Sequence, residues 1–443
     1  MSFANGAKAA LALALALALA LASGACTGTT GTVTLELATA PGSSVLDGVA
    51  RLRLTITNPH QVIEAPRTAA GFDLALDLDA TGGNGALIVE GLDAGGTLVA
   101  CGQSPPFPVA AINAHIVVYM APPRSVALSP RALPTPRSEV SGTTLAYGAV
   151  LAGGRDAGGA PSTEIAIYNA YDHTLVDGIP LPAARTGVAL GTGTGGAVYL
   201  FGGSGPDGNP TGTLWRFDTT VPPNGAYTTI TDQAGFARTN QQIVPTGVEH
   251  YLITGTPPLG LDVGTLAART DIAALPAVAA AVVPADGMPA AIFAGAQLVR
   301  FRRGAFDTLA GSGRSNASAA TLPDGRVVVL GGGAPLSRDA LVIDAATGMV
   351  TVIPNAIATP RSTPSVAATS RHLVVAGGTD MSGAVIATVE VLDAQTLAPI
   401  AVLPILPRTG TFAIALPNDQ VLLAGGTPAA GELELFTPEP PPP

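Results

Sequence analysis

Seven times between Gly154 and Gly426 a short apolar run closes on a pair of small residues, and this recurrence limits the possible folds more than any other feature of the chain. The runs are AVLAGG, VYLFGG, YLITGT, AIFAGA, VVVLGG, LVVAGG and VLLAGG. The second small residues of the pairs are Gly154, Gly203, Gly255, Gly295, Gly332, Gly378 and Gly426, at steps of 49, 52, 40, 37, 46 and 48 residues. Repeats of that length are supersecondary units that cannot bury their apolar faces alone and must stack on their neighbours. The period is near that of propeller blades.

A second series runs in phase with the first. Arg137, Arg185, Arg238, Arg314, Arg361 and Arg408 are each followed by Ser or Thr, and each lies 16 or 17 residues before the first member of its pair. That interval holds two short strands and a tight turn. The fourth unit breaks the series: its register falls at Ala277 or Val278, and its pair is Ala294 with Gly295.

Composition agrees with short strands joined by turns. Charged residues are 12% of the chain, with 54 Gly, 39 Pro and a single Trp, which is unlike a helical protein or a charged disordered one. The net charge is -10, and Lys8 is the only lysine. Binding of nucleic acid through counterion release needs clustered Lys and Arg, and no basic stripe exists here, so nucleic acid is excluded as an expected partner.

The N-terminus reads as an export signal over residues 1–25. Lys8 precedes an unbroken Leu/Ala stretch from Ala9 to Ala22, followed by Ser23, Gly24 and Ala25 just before Cys26. The stretch is shorter than the roughly 20 residues a membrane-spanning helix requires. Gly24, Ala25 and Cys26 resemble the bacterial lipoprotein processing box, although Ser23 stands where that box usually has Leu. The resemblance implies lipidation at Cys26, a membrane anchor of two or three acyl chains, and an exported protein of the bacterial cell envelope, most simply an outer-membrane lipoprotein. Cleavage by the ordinary signal peptidase after Ala25 is the alternative, and it would allow a Cys26–Cys101 disulfide.

Residues 27–122 lack the small pair and read as alternating strands: Thr32–Leu37, Ala50–Thr57, Phe72–Leu78, Ala86–Leu92, Thr97–Cys101 and Ala114–Tyr119. Short strands at this density suggest a small β-sandwich of immunoglobulin-like type, without the Cys, Trp, Cys signature of true immunoglobulin domains.

The sixth unit divides cleanly into four strands: Ser365–Ala368, His372–Ala376, Ala387–Leu392 and Pro399–Leu403. Its Gly377 and Gly378 end the second strand, where the chain must pass close to a neighbouring unit and a Cβ would be in the way. An Arg opening the unit, an apolar run closed by a Gly pair, and then a strand such as IAIYNA, LWRFDT, LVIDAA or VEVLDA together resemble the kelch repeat. The resemblance covers residues 123–437 and is weakest in units three and four. It implies an all-β chain, a small Ig-like β-sandwich followed by a seven-bladed kelch-like β-propeller, with a Pro-rich tail at 438–443. The last unit lacks a fourth strand, and residues 125–133 have the look of an orphan one. Closing the ring by pairing the two would remove open sheet edges.

In such a blade the Arg series and the Gly pairs fall on one face. Six arginines around a channel mouth could hold a carboxylate or glycan acid bidentately. The weightier alternative is that each packs on the adjacent blade and satisfies loop carbonyls. Loop residues Arg155, Asp156, Asp207, Arg338, Asp339 and Asp380 are further contact candidates on the same face. His173, His250 and His372 fall on the opposite face in different blades, too scattered for a metal centre. Copper radical oxidases of kelch-like fold use a cysteine inside the propeller, and residues 123–437 contain none. No G-x-S-x-G, phosphate loop or H-E-x-x-H is present. The expectation is therefore a binding or scaffold protein for a protein or glycan ligand, with no catalytic residues, no metal and no cofactor. The competing expectation is a carbohydrate-active enzyme, sialidase-like or mutarotase-like, on the same scaffold.

Overall fold

The computed structural model describes residues 30–441 apart from 70, 73, 80–82, 109–113, 194–195, 248–249, 255–258, 263–266, 270–278, 286–289 and 303–304. The expected export signal at 1–25 and Cys26, Gly255 of the third unit, and the Ala277/Val278 register of the fourth lie outside the described residues. What is described is all-β, with a short 3-10 turn at Ala234–Phe236.

From residue 125 onward the strands form seven four-stranded antiparallel sheets. Sheet 1 is Ser141–Leu145, Gly148–Ala152, Ile165–Asn169 and Thr174–Asp177. Sheets 2 to 6 follow in order, opening on Ala189–Thr192, Ile243–Gly247, Ala279–Ala285, Ser318–Thr321 and Ser365–Ala368. Sheet 7 is Thr409–Ala415, Val421–Thr427 and Glu434–Thr437. Its fourth strand comes from the other end of the chain: Ser125–Leu128 pairs antiparallel with Glu434–Thr437, in the register Ser125 to Thr437. The first strand of each sheet touches that of the next, and the first strand of sheet 7 touches that of sheet 1, so the contacts run in a cycle. The arrangement is propeller-like.

The apolar runs of the sequence are the second strands, and those of sheets 1, 2 and 6 are buried at every residue. Both of their faces meet a neighbouring sheet, so alternation gives way to continuous hydrophobicity. Separate apolar clusters fill the spaces between sheets. One joins sheets 1 and 2 through Val150, Ile167, Val198 and Phe217, and another joins sheets 7 and 1 through Leu151, Tyr168, Leu422 and Leu435. In sheet 6 the observed strands fall within one residue of those read from the sequence.

Residues 30–121 form a three-stranded and a four-stranded sheet around one core that includes Leu35, Leu52, Leu54, Val89 and Val118. The strand expected at Phe72–Leu78 is Ala75–Asp79, and a strand at His60–Pro66, not anticipated, forms a hairpin with Arg51–Thr57. This region rests on the turn of sheet 1 that links its third and fourth strands. The N–H groups of Val117 and Tyr119 donate to Tyr171 O (2.9 Å) and His173 Nε2 (3.3 Å). No described helix is long and apolar enough to cross a membrane.

Candidate functional site

The second-to-third-strand loops and the Arg series lie together at one end of the sheets. The Gly pairs explain why the packing there is tight. Both members of the pairs at 153–154, 202–203, 331–332, 377–378 and 425–426 have positive φ, between 61° and 99°. A Cβ on Gly153 would approach Arg185 O to 2.6 Å, and one on Gly331 would approach Arg361 O to 2.5 Å. In sheets 1, 2 and 5 the first glycine thus abuts the arginine carbonyl of the next sheet. The second abuts its own sheet: a Cβ on Gly154 would lie 2.5 Å from Ser138 O, and one on Gly378 the same distance from Ser362 O. The amide N–H of Gly154 also donates to Arg185 O (3.0 Å), and that of Gly332 to Arg361 O (2.8 Å), tying successive sheets together.

The guanidinium groups point the other way, into their own sheets rather than onto the adjacent ones. Arg137, with 0% exposure, donates from Nη1 to Gly153 O (2.6 Å) and Glu164 O (2.9 Å). Arg361, also 0% exposed, donates to Gly377 O (2.9 Å) and Thr388 O (3.1 Å), and its Nη2 meets Glu390 Oε1 at 2.5 Å. Arg408 repeats this with Glu432 O (2.9 Å) and Glu434 Oε2 (2.8 Å). Arg238 donates to Thr254 O, and Arg314 to Asp339 O. Arg185 lies over the Trp215 ring, 4.9 Å from its centroid. Burial lowers the pKa of Arg137 and Arg361, opposed by the carboxylates of Glu164 and Glu390.

In sheets 2, 6 and 7 the side chain that meets the guanidinium comes from one place in the third strand. Two residues beyond the carbonyl that accepts from Nη1 stand Ala166, Leu341, Glu390 and Glu434 in sheets 1, 5, 6 and 7, and Trp215 holds the corresponding position in sheet 2. Comparing LWRFDT, VEVLDA and LELFTP position by position is the sequence signal that would have found these partners. A second recurrence also escaped the sequence reading. The residue two after each Arg is left-handed: Glu139, Gly187, Asn240, Asn316, Thr363 and Gly410 have φ between 46° and 67°.

These turns frame a cavity of about 430 Å³ at the start of the innermost strands of sheets 1, 2, 3 and 7. Its lining includes Ser141, Leu190, Gln241, Gln242, Phe412 and Ile414, and none of the six arginines. The loop acids cap their own turns. Asp156 Oδ1 accepts from the N–H of Gly158 and Ala160, and Asp380 Oδ1 from those of Ser382 and Ala384. The Asp380 pKa is held down by the Ser382 hydroxyl, and that of Asp207 by the Asn209 amide. Arg155 pairs with Glu139 at 2.9 Å. Asp339 accepts the Asn355 N–H (2.9 Å), and the Arg338 carbonyl accepts from Ile357.

At the opposite end His173 is 1% exposed. Its Nε2 accepts from Tyr119 N–H, which fixes the proton on Nδ1, 2.7 Å from Tyr168 Oη. Burial pushes its pKa down to about 4. His372 opens the second strand of sheet 6 with Nδ1 unpartnered, and the side chain of His250 is outside what is described. Cys101 is free and buried, its Sγ facing Pro438 O at 3.3 Å, and burial pushes its pKa up to about 12.

No family model and no curated protein matches the chain. Among solved structures it is similar to a novel fungal alcohol oxidase of the AA5 family in complex with copper. The TM-score is 0.51 at 13% identity, over 69% of this chain and 75% of that one. At that identity the likeness shows a shared fold. Among the described residues no three His, Cys, Asp or Glu side chains converge as ligands.

Proposed function

We propose that the protein is an exported, non-enzymatic binding or scaffold module, a seven-bladed kelch-like propeller carried on an Ig-like domain and held to the bacterial envelope through Cys26. It presents the Arg/Gly end of the propeller to a protein or glycan ligand. The observation that carries this reading is the cavity of about 430 Å³ at that end, within the size range of ligand sites and framed by turns locked to one another by backbone hydrogen bonds. Its walls offer amides, a hydroxyl and apolar side chains, a set suited to holding a molecule rather than transferring protons. Arg238 and Arg314 are the half-buried members of the Arg series, and both donate into their own sheets, to Thr254 O and Asp339 O.

The second reading, a carbohydrate-active enzyme, draws on the scaffold shared with an oxidase. One assay separates them. Purified mature protein is offered sialosides, neutral glycosides, and primary alcohols with added copper. The module reading expects no turnover; turnover abolished by Arg185→Ala or Arg361→Ala, in variants shown to be folded, overturns it. Intact mass of the mature protein tests the anchor, and an unmodified Cys26 would remove it.

A further inference from the structure

We propose that the cavity at the Arg/Gly end of the channel binds an uncharged saccharide and discriminates against its carboxylated counterparts. The proposal rests on the binding-module reading and names the ligand class that the reading leaves open.

Neutrality is the first argument. Among the described residues the lining contains no Asp, Glu, Lys, Arg or His. The arginines that the sequence places at this end are turned into their own sheets, and Arg361 and Arg408 are already neutralised by Glu390 and Glu434. An anionic ligand would be desolvated here without a counter-charge, which is costly. On the rim the Glu139 carboxylate is already paired with Arg155 and accepts the Thr186 hydroxyl (2.7 Å).

Preorganised polar groups are the second. Thr254 Oγ1 donates to Gln241 Oε1 (2.8 Å), and Gln241 Nε2 donates to Thr239 O (2.9 Å). The amide is thereby held in one pose with a second N–H to give. Ser141 lines the cavity, and its hydroxyl makes no hydrogen bond among the described residues. Neighbouring sheets hold the rim in register, since Asn240 N–H of sheet 3 donates to Gly187 O of sheet 2 (2.9 Å).

The third is an apolar platform. The Phe412 ring sits against two glycines of adjacent strands. A Cβ at Gly142 would come within 2.5 Å of the ring, and one at Gly425 within 2.7 Å. Phe412 lines the cavity together with Leu190 and Ile414. Hydroxyl groups for a fixed amide and serine, with a C–H face for a fixed ring, is the dual character of a neutral sugar. A wholly apolar ligand would leave the amide unpaired.

The test is ligand-observed NMR on the full mature protein, with methyl glycosides of glucose, galactose, mannose and N-acetylglucosamine and the matching uronates. At least one neutral glycoside is expected to bind, with its uronate at least about tenfold weaker. Phe412→Ala, checked for an intact unfolding transition, is expected to lose at least about tenfold in affinity. Leu190→Arg, which adds the missing counter-charge, is expected to improve the uronate relative to the neutral sugar. No neutral binding at roughly 10 mM, equal binding of the uronate, or an unaffected folded Phe412→Ala would overturn the assignment. Such silence removes the saccharide alone; the module reading falls only on the turnover assay.

Discussion

Sheets 1 and 6 begin with the same Arg-Ser dipeptide and bury the arginine completely, yet they treat its charge differently. In sheet 6, Arg361 meets Glu390, itself 2% exposed, and that carboxylate also accepts the N–H groups of Ala358 (2.5 Å) and Thr359 (3.0 Å). In sheet 1 the equivalent position is Ala166. Arg137 keeps its two backbone carbonyls, but Nη2 has no partner, and Glu164 lies 3.3 Å from Nε without hydrogen-bond alignment. What the two sheets share is the pair of accepting carbonyls at the ends of the second and third strands. The guanidinium is therefore first a clip between strands, and the carboxylate is an addition. The position that holds Glu in sheets 6 and 7 holds Trp215 in sheet 2, where the ring face takes the cation instead.

Removing the arginine separates the two arrangements most sharply. Arg361→Met leaves Glu390 buried and uncompensated and is expected to cost about 3–5 kcal/mol. Arg137→Met leaves carbonyls without donors, about 1–3 kcal/mol. Urea unfolding of the two variants measures the gap, and equal losses would mean that Glu390 adds nothing. The next effect depends on pH and compares the buried histidine of sheet 1 with bulk water. The folded pKa of His173, about 4, lies below the ordinary value of 6.5. Between those values the unfolded chain takes up a proton that the native state refuses, so stability falls as pH drops from 6.5 and the loss levels off below 4. Its full size is about 3 kcal/mol. His173→Asn, which tolerates the φ of 51° at that residue, should flatten this part of the pH profile of thermal unfolding.

The smallest effect contrasts sheets 5 and 6 at their first glycines. Gly331 and Gly377 have φ of 69° and 61°, but a Cβ at Gly331 meets Arg361 O at 2.5 Å whereas one at Gly377 finds its nearest neighbour at 3.9 Å. Gly377→Ala should cost only the left-handed conformation, about 1–2 kcal/mol, and Gly331→Ala measurably more. Similar losses in calorimetry would show that clearance is not what selects glycine in sheet 5.

The strands and the Gly pairs were legible because each follows from a local demand: continuous burial for the second strand, and clearance beside a carbonyl for the glycine. Sheet 6 could be cut to within a residue for this reason. The orientation of the arginines was not legible, because it depends on one position of the third strand that holds Ala166, Trp215 or Leu341 in some sheets and Glu390 or Glu434 in others. The left-handed rim escaped for a similar reason, since Glu139, Asn240, Thr363 and Gly410 look unrelated until their φ values are compared. The His60–Pro66 strand carries mostly exposed side chains and so lacks the alternation that marks a half-buried one. The neutral cavity depends on which residues of four separate strands face the axis, a property that no single segment displays.

The strand Ser125–Leu128 has to wait for Glu434–Thr437 before sheet 7 can be completed. Sheets 1 to 6 can each form from contiguous sequence as the chain emerges, but the ring cannot be shut until its last strand has been delivered. Closure then joins two segments separated by nearly the whole domain, at a large loop-closure entropy. The seam between sheets 6, 7 and 1 is accordingly the place where assembly is decided last, and a chain interrupted before residue 434 would present its partner strand, unpaired, to any chaperone it meets.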